Sequence, residues 1–153
     1  MKFKNQKFLR SVSIGGCLLA RQYGFNVTAD AVENKFENGS ILNFYDLKNF
    51  FNTSGVEINL LKINKRDLEK RSYIFPSIAV LNSEDTVILT SLKREEGEVK
   101  KVQFIDPIDP TGKIEELDIE EFLNKWSGRV ITVGRHTGHY SKDKFFDMSW
   151  FYP

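Results

Sequence analysis

The chain has 153 residues, with 22 basic and 21 acidic side chains and a net charge of +1 at pH 7. That balance offers no electrostatic footprint for nucleic acid and no basic run for a membrane surface. A hydrophobic fraction of 41% with thirteen Phe suits one domain with a substantial core. The single cysteine, Cys17, excludes an intrachain disulfide framework and fits a reducing compartment. No signal peptide or membrane helix is legible.

Taken in order, residues Phe8 to Tyr23 read as a helix, with Leu9, Val12, Leu19 and Tyr23 toward one face. Gly15 and Gly16 are costly inside a free helix, so another element should pack closely there. Thr28 caps a second helix, Ala29 to Phe36. Ser40 caps a third, Ile41 to Asn52, closed by Gly55. On that third helix Ile41, Phe44, Leu47 and Phe51 form one stripe, and Leu42 and Tyr45 form another. Two apolar stripes mean deep burial or a second face for a partner.

After Gly55 the period changes. Val56 to Ile63 alternates as a strand, and Lys65 to Arg71 reads as a short helix. Strands follow at Ser77 to Leu81, Thr86 to Leu92, Val99 to Ile105 and Lys113 to Leu117. Asp118 starts a helix, Ile119 to Trp126, and Arg129 to Val133 is a last strand. Helices first, then an antiparallel meander with one late helix, make an α+β layout. Residues 134–153 read as a linker ending in an aromatic run, Phe145 to Pro153, with the look of a chain that continues into a further segment.

Three strings, in their order and spacing, resemble cysteine peptidase family 39, the papain-like domains at the N-terminus of bacteriocin-processing ABC exporters. Ala20-Arg21-Gln22-Tyr23-Gly24 with Asn26-Val27-Thr28 resembles the step from the family's first helix to its second. Phe75-Pro76-Ser77-Ile78-Ala79 resembles the proline-led strand before the catalytic histidine. Phe104-Ile105-Asp106-Pro107, with Leu117 to Trp126 and Gly128, resembles the Asp-Pro strand end and the closing helix. The strings span residues 8–133. Phe146-Asp147-Met148-Ser149-Trp150-Phe151-Tyr152-Pro153 is similar to the string before the first membrane helix of haemolysin-type exporters, whose peptidase-like domain lacks activity.

The resemblance implies a papain-like fold for residues 1–133 and locates a would-be active site. Such a site needs a thiolate, an imidazole and a group that orients the ring. The nucleophile position falls on Ser11, flanked by Arg10 and Val12. The histidine position falls on Asp85 or Thr86, and Asp106 keeps the family's residue. Asn5, or Gln6 beside it, stands at the oxyanion position. Both histidines, His136 and His139, lie in the tail, and with Asp143 they are a weak metal set on no helix. Ser11 lacks a base near neutral pKa, and carboxylates beside it would repel an oxyanion. The implied domain is therefore a degenerate peptidase with no cofactor of its own. ATP and Mg belong to the nucleotide-binding part of the exporter.

The resemblance further implies a substrate-recruiting role at the cytoplasmic side of a bacterial inner membrane. The implied partners are the unfolded secreted polypeptide, a repeat-containing toxin or adhesin, together with the rest of the ABC transporter and its membrane fusion protein. Surplus aromatics, Phe44, Tyr45, Phe50 and Phe51 with Phe104 next to the relic site, would line the binding groove. The competing reading is an active leader peptidase, or a hydrolase using Ser11 or Cys17. A third is a docking domain for the exporter's own nucleotide-binding domain.

Overall fold

The structure, a computed structural model, describes residues 2–70 and 75–135. Its elements are α1 (Lys2–Gln22), α2 (Ala29–Glu37), α3 (Phe44–Thr53), β1 (Val56–Lys62), α4 (Lys65–Lys70), β2 (Ser77–Leu81), β3 (Thr86–Glu95), β4 (Glu98–Ile105), β5 (Ile114–Asp118), α5 (Ile119–Lys125) and β6 (Trp126–Arg135). All the strand pairings are antiparallel, in one sheet of order β1-β6-β2-β3-β4-β5. The meander expected from sequence is present from β2 to β5. The last strand, however, slots between β1 and β2, because Ile131 pairs with both Leu60 and Ile78.

The sheet carries a core on each face. Leu9, Val12, Leu19, Val32, Leu47 and Phe51 from the first three helices pack on Ile58, Ile78, Ile88 and Ile131. Leu68 of α4 and Phe122 of α5 pack on Ala79, Val87, Leu89 and Val130 of the other face. Strand alternation alone assigns these sides, since successive residues point to opposite faces. The close approach expected at the helix glycines is there. A Cβ on Gly15 would lie 3.1 Å from Ile78 Cδ1, and one on Gly16 would lie 2.9 Å from Phe51 Cζ.

Four local expectations are corrected. α3 starts at Phe44, not Ile41, and its cap is Asn43, not Ser40. Asn43 Oδ1 accepts from Asp46 N, satisfying one orphan donor of the first turn, while Asp46 Oδ2 accepts from Leu42 N just before the cap. The Ser40 amide instead donates to Lys35 O and closes α2. Tyr23 lies past α1 in the turn at Gly24 (φ +88) and is exposed, so it does not share the buried face. Trp126 begins β6 rather than ending α5, opposite Leu81, with its indole N–H donating to Arg129 O. Finally, β6 runs to Arg135, two residues beyond the expected strand end.

Candidate functional site

Ser11 sits midway along α1, half-buried, where the helix crosses β3. Thr86 is the first residue of β3 and pairs with Val80, so its side chain points to the face that carries α1. It is 3% exposed. The two hydroxyls meet, Ser11 Oγ to Thr86 Oγ1, at 2.5 Å. Of the two candidates for the histidine position, the structure therefore brings Thr86 to Ser11. Asp85 Oδ1 lies 3.5 Å from Lys7 Nζ, and its Oδ2 accepts from Ser83 Oγ.

An open cavity of about 410 Å³ lies beside the hydroxyl pair, walled by Gln6, Arg10, Ser11, Ile14, Asp85 and Ile108. Arg10 is held in place by Glu33 of α2 and lies 5.0 Å over the Phe36 ring. Gln6 reaches this cavity, while the side chain of Asn5 falls outside the described ones. Asp106 follows Ile105, which pairs with Ile88 of β3. Its Oδ1 accepts from Ile108 N at 3.1 Å and closes the turn that carries Ile108 to the cavity wall. The reason is local: a short carboxylate two residues before a free amide forms an Asx turn readily.

Cys17 lies in the helical-face core at 2% exposure. Burial pushes its thiol up to about 11, against a smaller opposing pull from Arg21. A thiol in that state is a packing group, far from the thiolate a nucleophile requires.

The aromatic set expected to line one groove is dispersed. Tyr45 is exposed and Phe44 half-buried. Phe44 shares an open cavity of about 220 Å³ with Phe8, Leu9, Leu42 and Asn43. Phe50 points to another side of α3, next to Lys35 and Ile41, and its ring meets Phe51 edge-on at 5.9 Å. Phe51 is fully buried. Phe104 pairs with Leu89 and packs in the core of the α5 face, so the sheet separates it from Ser11. Ile105, one residue on, takes the side expected of Phe104. Ile14 and Ile108 were missed as site residues. Ile14 is two helix positions off the buried stripe, and Ile108 sits in a turn where periodicity carries no signal. His136, His139, Asp143 and the Phe146 to Pro153 string lie outside the described residues. Among the described residues no cluster of three metal-ligating side chains occurs, and no helix is long and apolar enough to cross a membrane.

A sequence profile described as the Peptidase C39 family matches residues 17–138. The chain belongs to the Peptidase C39 family. Ser11 lies on α1 ahead of the matched stretch. No curated protein sequence matches the chain. Solved structures show that this C39 chain has the papain-like family fold, its helices packed on a six-stranded antiparallel sheet. One is the N-terminal peptidase C39-like domain of the toxin secretion ATP-binding protein from Vibrio parahaemolyticus, at 22% identity and TM-score 0.60, covering 84% of this chain and 95% of that one. A second is a double-glycine-motif protease from an AMS/PCAT transporter in complex with the leader peptide, at 17% identity and TM-score 0.62, with coverage of 83% and 84%. A third is the peptidase domain of Streptococcus ComA, a bifunctional ABC transporter of a quorum-sensing pathway, at 16% identity and TM-score 0.59, with coverage of 88% and 94%.

Proposed function

We propose that this C39 domain is a non-catalytic recruiting module of an ABC exporter, holding the unfolded secreted polypeptide at the cytosolic face of the membrane before translocation. The observation that carries the reading is the Ser11–Thr86 hydroxyl pair, standing where the family resemblance puts a thiol and an imidazole. A serine hydroxyl needs a base of near-neutral pKa within hydrogen-bond reach. Thr86 cannot take that proton, Asp85 is turned to Lys7, and Asp106 closes its own turn. Among the described residues, none hydrogen-bonded to Ser11 is a base of near-neutral pKa.

Two similarities support the transport setting. The Vibrio parahaemolyticus neighbour is the N-terminal domain of a toxin secretion ATP-binding protein, and the transporter protease neighbour was solved with a leader peptide. A domain of this shape without the acid–base pair retains an open cavity of about 410 Å³ and exposed apolar side chains. Those suit weak, repeated contacts with an unfolded chain that must later be released. ATP and Mg would act in the nucleotide-binding part of the same exporter.

Incubation with double-glycine leader peptides, followed by mass spectrometry, tests the first half of the reading. No cleavage is expected, and turnover abolished by Ser11→Ala would overturn it. Titration of isotope-labelled domain with an unfolded calcium-free repeat segment of a secreted toxin tests the second half. Saturable shifts at high micromolar concentration are expected, and a silent spectrum removes the recruiting role.

A further inference from the structure

The two edges of the sheet are built differently. β5 ends the sheet on one side and carries Glu115, Glu116 and Asp118 within five residues. Charge on an edge strand discourages a further strand from pairing there. β1 ends the other side, has seven residues and is bonded to β6 alone. Its ladder runs from Val56 to Lys62 without a register shift, and it contains no proline. The outward N–H and C=O groups therefore form a regular edge that pairs with no further strand, with Lys48 of α3 reaching Asn59 Oδ1 beside it. Leu60 and Leu61, near its end, are 40% and 38% exposed.

The register shows what flanks that end. Leu60 pairs with Ile131, a residue of the helical-face core, and Lys62 pairs with Arg129, so Leu60, Lys62 and Arg129 share the helical face. Arg129 lies 5.9 Å over the Phe8 ring. Phe8, with Leu42 and Phe44, walls the open cavity of about 220 Å³ described above, and Leu42 is itself exposed. Lys62 and Arg129 have no carboxylate partner among the described ion pairs.

Three needs coincide there: an open edge needs main chain, a cavity needs an apolar side chain, and unpaired cations need carboxylates. We infer that the β1 edge receives an extended segment of the transported polypeptide as an added strand, with one apolar side chain in the Phe8–Leu42–Phe44 cavity and acidic side chains against Lys62 and Arg129. The inference rests on the recruiting role proposed above and adds where, and in what form, the chain is held.

The test is a titration of labelled domain with a ten-residue peptide in which Leu and Asp take turns at every second position, so that both lie on one face of a strand, with Thr between them. Expected are slowed exchange at alternate β1 amides, shifts at Phe8, Leu42 and Phe44, and loss of both when alternate peptide nitrogens are methylated. Replacing Asp by Lys in the peptide, or Lys62→Glu in the domain, should weaken binding about tenfold, as for an anchor contact. Shifts confined to Ser11, Ile14 and Ile108 would overturn the inference and move binding to the other cavity. Concentration-dependent β1 shifts without peptide would overturn it in favour of a second copy of the chain. If the toxin repeat segment binds but leaves β1 unmoved, the edge proposal falls and the recruiting role stands. If that segment binds nowhere, the recruiting role itself falls.

Discussion

Ser11 on α1 and Thr86 at the head of β3 face each other hydroxyl to hydroxyl at 2.5 Å, although they are 75 positions apart in the chain. The contact joins the helical layer to the sheet at the mouth of an open cavity. If this pair occupies the positions of a thiol and an imidazole, then replacing both should rebuild an ion pair. Ser11→Cys alone should give a slow thiol of ordinary pKa, about 8.5. Ser11→Cys with Thr86→His should bring it below about 7.5, read as the pH dependence of alkylation rate. An unchanged profile in the double variant would show that Thr86 does not stand at the base position.

Cys17 offers an internal control in that experiment. Its thiol is buried and pushed up from an ordinary 9.0 to about 11, chiefly by desolvation. In the folded protein it should stay unlabelled at pH 8 and react only on unfolding. A neutral form favoured by folding stabilises fully below the unfolded pKa, and that stability is lost as pH rises toward the folded one. Between pH 9 and about 11 the protein should therefore lose on the order of 2 kcal/mol that a Cys17→Ala variant does not lose. Urea midpoints of both proteins across that range measure the difference.

The two neighbouring glycines of α1 should respond unequally to alanine. At Gly16 the new methyl would meet the Phe51 ring at 2.9 Å, and Phe51 is fully buried. Overpacking of that kind costs about 1–3 kcal/mol, more than the ~1 kcal/mol of helix propensity that alanine returns. At Gly15 the overlap is milder, 3.1 Å to Ile78 Cδ1 and 3.3 Å to its Cγ1, so that alanine's helix propensity offsets it. Gly16→Ala should lower the urea midpoint, whereas Gly15→Ala should leave it within error. Equal effects would contradict the packing account.

Glu116 on the acidic β5 edge is held below the usual carboxylate range by its bond to Lys93 and then by Gln103, with Lys93 2.7 Å away. A carboxylate lowered by folding stabilises above its unfolded pKa, and that contribution fades as pH falls through the folded one. Glu116→Gln should therefore flatten the stability profile below about pH 4.5 and change little at pH 7. Thermal midpoints at a series of acidic pH values decide this, and an unchanged acid limb would rule the group out.

Much of the architecture was legible because it rests on periodicity. The alternation at Val56 to Ile63 and the glycine punctuation at Gly24 and Gly55 mark true element limits. The aromatic groove was not legible, because composition counts Phe residues without saying which side of the sheet each takes. Phe104 and Ile105 differ by one position, and that parity alone sends Phe104 to the α5 face. The turn role of Asp106 was not legible either, since the bond from Ile108 N to its carboxylate depends on the backbone course after Pro107. The third helix was misread at its start because Ser40 and Asn43 are both good caps in sequence. Only Asn43 accepts from a first-turn amide, Asp46 N, while the Asp46 carboxylate holds Leu42 N just ahead of it.

The placement of β6 bears on how the domain can be made. β1 finds its one partner strand, and β2 its second beside β3, only in the last strand, residues Trp126–Arg135. On a ribosome, therefore, the helices and the β2–β5 meander can gather early, but β1 waits for more than sixty residues before it can pair. Loop closure over such a distance favours slow completion of the sheet. A chain ending before Trp126 would leave both strands with open edges and apolar faces, a species suited to chaperone capture rather than to work.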